Sequence, residues 1–113
     1  MIIIKQTLKF GELKQMAERL FGDFVKAVVD VDRKLLAVDA ELHADLEALL
    51  LEDGSQQRSL WGINVYPELP EEQRIEFDSM INMRPSQGNR SRGVEDEAIR
   101  RKIAAIVERR LAR

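Results

Sequence analysis

The chain has 113 residues, 44% hydrophobic and 34% charged, which suits a single globular domain over residues 1–113 that buries a core without covalent staples. It has no cysteine, so disulfides, thiolate catalysis and sulfur-based zinc sites are excluded, and a formal net charge of −2 supplies no global attraction to nucleic acid. No stretch approaches a membrane span, and Met1–Lys5 is too short an apolar run for a secretory signal, so a cytoplasmic protein that does not enter the membrane is expected.

The β-branched run Ile2–Ile4 reads as a short strand. Leu13, Met16, Ala17, Leu20 and Phe21 recur at helical spacing, and Gly22 stands where such a helix would stop. From Phe24 to Val31 the pattern alternates, with Val25, Ala27, Val29 and Val31 on one face; Asp32-Arg33 then predicts a turn into a returning strand over 34–38. Asp45 is the expected N-cap of a short helix with Leu46, Leu49 and Leu50 inward and Gly54 as its stop. Leu49-Leu50-Leu51 also suits a buried strand. Strands are expected over 60–66 and 74–83, around an acidic Pro67–Pro70 loop. In the later strand Ile75, Phe77, Ser79, Ile81 and Met83 would share one face, and Glu76, Asp78, Asn82 and Arg84 the other. Trp61 is expected in the core with Ile63 and Val65. A last helix begins near Glu95 with Ile99, Ile103, Ile106, Val107 and Leu111 as its stripe.

The sum is an α+β fold in the order β-α-β-β-α-β-β-α. Two hairpins and one-sided alternation imply a mostly antiparallel five-stranded sheet with about three helices packed on one face. Charge is uneven along it. Asp39, Glu41, Asp45, Glu47, Glu52 and Asp53 follow one another with no intervening Lys or Arg, whereas the chain after Met83 is dominated by arginine. Such polarity suits a solvated surface, the steering of a charged ligand, or pairing of two copies as a homodimer.

The runs Glu41-Leu-His-Ala-Asp45, Glu52-Asp-Gly-Ser-Gln56, Leu60-Trp-Gly-Ile-Asn-Val-Tyr-Pro-Glu68 and Glu76-Phe-Asp-Ser-Met-Ile-Asn-Met-Arg-Pro-Ser-Gln-Gly-Asn-Arg-Ser-Arg-Gly-Val-Glu-Asp96 resemble those of a small prokaryotic family known as a domain of unknown function. The similarity covers nearly the whole chain. It implies a small single-domain prokaryotic protein and supplies no activity and no catalytic residue.

The segment Arg84–Gly93 holds three arginines and two glycines without one acid, between a strand and a helix. Such a loop suits a compact anion, either a phosphorylated metabolite or an RNA phosphate. Arg84, Arg90 and Arg92 would clamp the oxygens, Ser86, Asn89 and Ser91 would add hydrogen bonds, and Gly88 and Gly93 would let the backbone approach. Glu95, Asp96 and Glu97 already occupy the positive end of the next helix and oppose an anion there. Three arginines are few for a duplex. The contrary reading pairs them with acids such as Glu76 or Asp78.

His43 is the sole histidine. With Asp45, Asp78 and Asn82 it forms an alternative polar site, which would serve a small metal- or water-using hydrolase. Its spacing matches no metal signature, and the serines lack the context of an activated nucleophile. No cofactor motif is present; the Gly88–Gly93 run lacks the lysine of a phosphate-binding loop. A third possibility is a shallow groove for a peptide, a small polar ligand or a second copy, lined by Glu76, Asp78, Asn82, Arg84, Asn64 and Tyr66. The non-catalytic binding module is the leading expectation, with the hydrolase its alternative.

Overall fold

The computed structural model describes residues 1–112. Its centre is an antiparallel sheet of five strands in the order β1-β4-β3-β5-β6. These are β1 (Ile2–Ile4), β3 (Val25–Asp30), β4 (Leu35–Val38), β5 (Leu60–Val65) and β6 (Ile75–Glu76). Three helices accompany it: α1 (Phe10–Leu20), α2 (His43–Glu52) and α3 (Glu97–Arg110). A short parallel pair, β2 (Leu8–Lys9) with β7 (Leu111–Ala112), joins the start of α1 to the end of α3. The α+β class and the antiparallel sheet agree with the sequence patterns.

The local signals explain the elements. Gly22 ends α1 at φ +98°, and its N–H reaches back 2.6 Å to the Ala17 carbonyl. In the β3–β4 turn, Asp30 Oδ1 accepts the N–H groups of Asp32 and Arg33, both at 2.9 Å. This buried carboxylate replaces backbone pairing where the chain reverses.

The helices do not share one face, contrary to the sequence expectation. Val25, Ala27, Val29, Leu36, Val38, Trp61, Ile63 and Val65 pack under α1 and α3. Val28, Leu35, Ala37 and Leu60 point the other way and meet Leu46 and Leu50 of α2. The reason lies in β3 and β4, which carry apolar residues at consecutive positions and therefore need cover on both faces. Asp45 is not the cap of α2 either. The helix begins at His43, after Leu42, without a side-chain cap. Burial holds it instead: Leu46 and Leu50 have no exposed surface, and each such side chain contributes about 1.5–3 kcal/mol. The Leu49-Leu50-Leu51 run is helical.

The largest departure follows β5. The strand expected over 74–83 stops after Glu76, and the chain turns through short 3-10 segments at Met80–Asn82 and Pro85–Gln87. The expected alternation of its faces is lost with it. Phe77 joins the α1/α3 core and Ile81 the α2 core, Met83 is exposed, and Asn82 is buried rather than on an open polar face. The last helix starts at Glu97, capped by Asp96, whose Oδ1 accepts the Ala98 N–H at 2.8 Å.

Candidate functional site

Where β6 ends, β5 would be left with an unpaired edge. Two asparagines organise the chain that fills the gap. Asn82 has no exposed surface; its Oδ1 accepts the Gly62 N–H at 2.8 Å, and its Nδ2 donates to the Gly62 and Arg92 carbonyls, each at 2.9 Å. The side-chain amide thus does the work of a missing strand residue. Asn89 is also buried. Its Nδ2 donates to the carbonyls of Asn82 at 2.7 Å and Gly93 at 2.8 Å, while its Oδ1 accepts the Glu95 N–H at 2.9 Å. Arg84 and Asn89 exchange backbone hydrogen bonds across the turn, which Gly88 closes at φ +82°.

Most of the loop's polar groups are engaged internally. The Arg84 guanidinium donates through Nε to the Ile81 carbonyl at 3.1 Å, through Nη1 to the Gln57 carbonyl at 3.0 Å, and through Nη2 to the Leu60 carbonyl. It also stacks 4.4 Å above the Trp61 ring. Burial lowers its pKa, and Glu47 opposes that shift. Arg92 Nε donates to Asp78 Oδ1 at 2.6 Å. Glu95 Oε2 accepts the successive N–H groups of Arg90 at 2.6 Å and Ser91 at 2.8 Å. Those two amides hold the Glu95 carboxyl below its ordinary range. Ser86 is exposed, and the Arg90 guanidinium makes no hydrogen bond or ion pair among the described residues.

The alternative polar site is only partly assembled. His43 is buried, and its Nε2 donates to the Ile63 carbonyl at 2.7 Å. Burial lowers the His43 pKa first of all; the Ile63 carbonyl and Asp78 oppose the shift, and Lys26 and Arg92 reinforce it. His43, Asp78 and Arg92 therefore feel one another, with Asn82 behind them, bonded to the Arg92 carbonyl. Asp45 stands apart on the exposed side of α2. On the supposed open sheet face, Asn64 Nδ2 donates to Glu76 Oε1 at 2.8 Å and the Tyr66 hydroxyl lies 3.4 Å from the same oxygen. Among the described residues, no group of three or more His, Asp or Glu side chains is arranged to hold a metal ion.

Beside the loop lies a feature absent from the sequence reading. A cleft of about 320 Å³ is lined by Gln87 of the loop, Trp61, Asp32, Arg58, Ile99 and Lys102. It adjoins a second of about 410 Å³, where Lys102 continues to Lys34, Ile106 and Arg109. The side chains of Arg58, Lys102, Lys34 and Arg109 make no hydrogen bond or ion pair among the described residues. The Trp61 Nε1 is buried without a partner. One signal was legible: Ile99, Lys102, Ile106 and Arg109 lie at i, i+3, i+7 and i+10, one mixed basic and apolar stripe of a helix. That Arg58 and Trp61 meet this stripe is a tertiary fact.

The fold and this site define a small α+β protein whose antiparallel sheet is covered on both faces and finished at one edge by a rigid polar loop. The chain belongs to the DUF5674 family, described as protein of unknown function, whose family model matches residues 2–110. No curated protein and no solved structure gives a match. Among the described residues, no helix is long and apolar enough to cross a membrane.

Proposed function

We propose that the chain acts as a single non-catalytic binding domain for a compact anion, a phosphorylated metabolite or an RNA phosphate, taken beside the Arg84–Gly93 loop. One observation carries the reading: Arg58 and Lys102, both without ion-pair partners among the described residues, border the cleft walled by the loop's Gln87 and by Trp61. Unpaired cations around a concave, part-apolar surface attract an anion at little cost, because no internal bond must first be broken. The loop's contribution is rigidity, with the Arg90 side chain exposed on its surface and without a hydrogen bond among the described residues. Arg84 and Arg92 hold the loop in shape, and Glu95 supplies the anion for the Arg90 and Ser91 amides. The domain works in the cytoplasm of a prokaryotic cell, a compartment that the cysteine-free sequence permits. A homodimer is compatible with the opposed charge of its acidic α2 region and basic C-terminal part.

The test is a titration of Trp61 fluorescence with inorganic phosphate, pyrophosphate and a short oligoribonucleotide at two salt concentrations. Trp61 is the only tryptophan and lines the cleft, so its emission reports occupancy. The expected response is saturable, weakens with salt, and is lost in Arg58→Ala and Lys102→Ala. Two or three phosphate contacts on a single strand give a log–log salt slope of about −1.4 to −2. Absence of a response to all three probes defeats the proposal.

A hydrolytic reading has one observation in its favour, the electrostatic coupling of His43 to Asp78. Its weakness is that His43 Nε2 is bonded to Ile63, Asp78 is paired with Arg92, and Asp45 is elsewhere. Phosphoesterase activity lost in both His43→Gln and Asp78→Asn would restore it.

A further inference from the structure

Arg74 stands apart from the loop and its cleft, and its bonding is incomplete. The residue is only 6% exposed, yet its Nε is buried with no hydrogen-bond partner. Its one side-chain bond runs from Nη1 to Glu108 Oε1 at 3.3 Å, and Glu108 itself is about half exposed. The guanidinium lies 4.7 Å from the centre of the Phe10 ring. A buried cation with five donors ordinarily finds several acceptors, since burying an unpaired charge is costly. Here one long bond serves.

Arg74 is also the wall between two clefts. The larger, of about 570 Å³, opens between the start of α1 and the β5–β6 loop; Arg74 and Lys14 bring two cations to it, and Glu68 and Glu71 two acids. Phe10, Pro67, Leu69 and Pro70 make up the rest of the lining. The Lys14–Glu68 pair, at 3.9 Å between exposed side chains, is weak and easily opened. The smaller cleft, of about 360 Å³, shares Arg74 and Glu71 and contains Glu108. A balanced set of two cations and two acids offers a phosphate no net attraction but suits a molecule that carries both signs.

We propose that the cleft between α1 and the β5–β6 loop binds a free α-amino acid with an apolar side chain. Its carboxylate takes the donors that Arg74 offers beside Glu108, with Lys14 as the second cation. Its ammonium faces Glu71, and its side chain lies against Phe10, Leu69 and the two prolines. The planar fork of arginine matches a carboxylate in a way that lysine does not.

The experiment uses the full chain, with amide chemical shifts of Phe10, Lys14, Leu69 and Arg74 followed by NMR. The probes are L-phenylalanine, 3-phenylpropionate, which lacks the ammonium, and phenethylamine, which lacks the carboxylate. L-Phenylalanine is expected to shift these amides saturably at low millimolar concentration, with 3-phenylpropionate several-fold weaker and phenethylamine at least ten-fold weaker. Arg74→Lys should weaken binding at least ten-fold. Glu108→Gln, a mild change at an exposed position, should strengthen it several-fold by removing a competitor. The comparison of probes on the unmodified protein decides even where Arg74→Lys fails to fold. Equal affinity for phenethylamine, equal affinity for 3-phenylpropionate, or no saturable shift with L-phenylalanine each overturns the proposal.

Discussion

The Asn82 side chain stands in for a β-strand at Gly62, accepting that residue's N–H and donating to its carbonyl. Removing the amide leaves both Gly62 groups without partners and takes one of two bonds from the Arg92 carbonyl, which keeps the Ser79 N–H at 2.9 Å. Asn82→Ala should therefore cost about 2–4 kcal/mol, more than an ordinary hydrogen bond, because the desolvation of the orphaned groups is uncompensated. Urea denaturation checks this; a loss under about 0.5 kcal/mol would show that water satisfies the edge equally well.

Gly62 itself has no room for a side chain. An added Cβ would lie 2.6 Å from both Cβ and Oγ of Ser79. Gly62→Ala should destabilise the protein by about 1–3 kcal/mol through this overpacking. Ser79→Gly in the same chain should recover part of the loss, measured as a non-additive double-mutant cycle.

Glu95 makes the loop sensitive to acid. Two backbone amides lower its pKa below the ordinary value of 4.5, so its contribution is complete above 4.5 and disappears as pH falls through the folded value. The Arg90 and Ser91 amide resonances should move together with a midpoint below 4.5. In Glu95→Gln their hydrogen exchange should be faster at every pH.

His43 acts in the range above that. Burial pulls its pKa below the ordinary 6.5, so the folded protein holds the ring neutral while the unfolded chain begins to take up a proton near that value. Stability present above pH 6.5 is lost as pH falls from 6.5 towards the folded pKa. His43→Gln, which keeps a donor for Ile63, should flatten this part of the stability–pH profile. An unchanged slope would mean that the ring is not the titrating group.

Arg84 and Arg90 should respond in opposite ways. Arg84→Met removes bonds to three carbonyls and the stack on Trp61, and is expected to cost about 2–3 kcal/mol and to shift Trp61 emission. Arg90→Ala should change stability by less than about 0.5 kcal/mol while weakening the response of Trp61 to phosphate. Reversal of the two results would make Arg84 the ligand-facing residue.

Much of this architecture was legible as pattern. The helical spacing of Leu13, Met16 and Ala17, the alternation through β3, the stop at Gly22 and the arginine-rich loop as a distinct unit are all local matters, and local physics sets them. Asp45 misled because it has the chemistry of a cap while Leu46 and Leu50, by their burial, decide where α2 lies. The strand over 74–83 failed because alternation cannot register a competing hydrogen-bond partner. The Asn82 and Asn89 side chains bond the backbone of Gly62, Asn82 and Gly93 in place of a continued ladder.

By itself the sequence determined the α+β class, the antiparallel hairpins, the apolar stripes of α1 and α3 and the inward face of β3, and the loop between sheet and last helix, because each follows from periodicity and turn chemistry within a few residues. Tertiary structure alone decided that the sheet is covered on both faces and that Arg84, Arg92 and Glu95 serve the loop. It also decided that Arg58 meets Lys102 beside Trp61 and that Arg74 lies half-satisfied under Phe10. An arginine's charge is written in its codon, but its freedom to bind depends on which carbonyls and carboxylates the fold brings within about 3 Å of it.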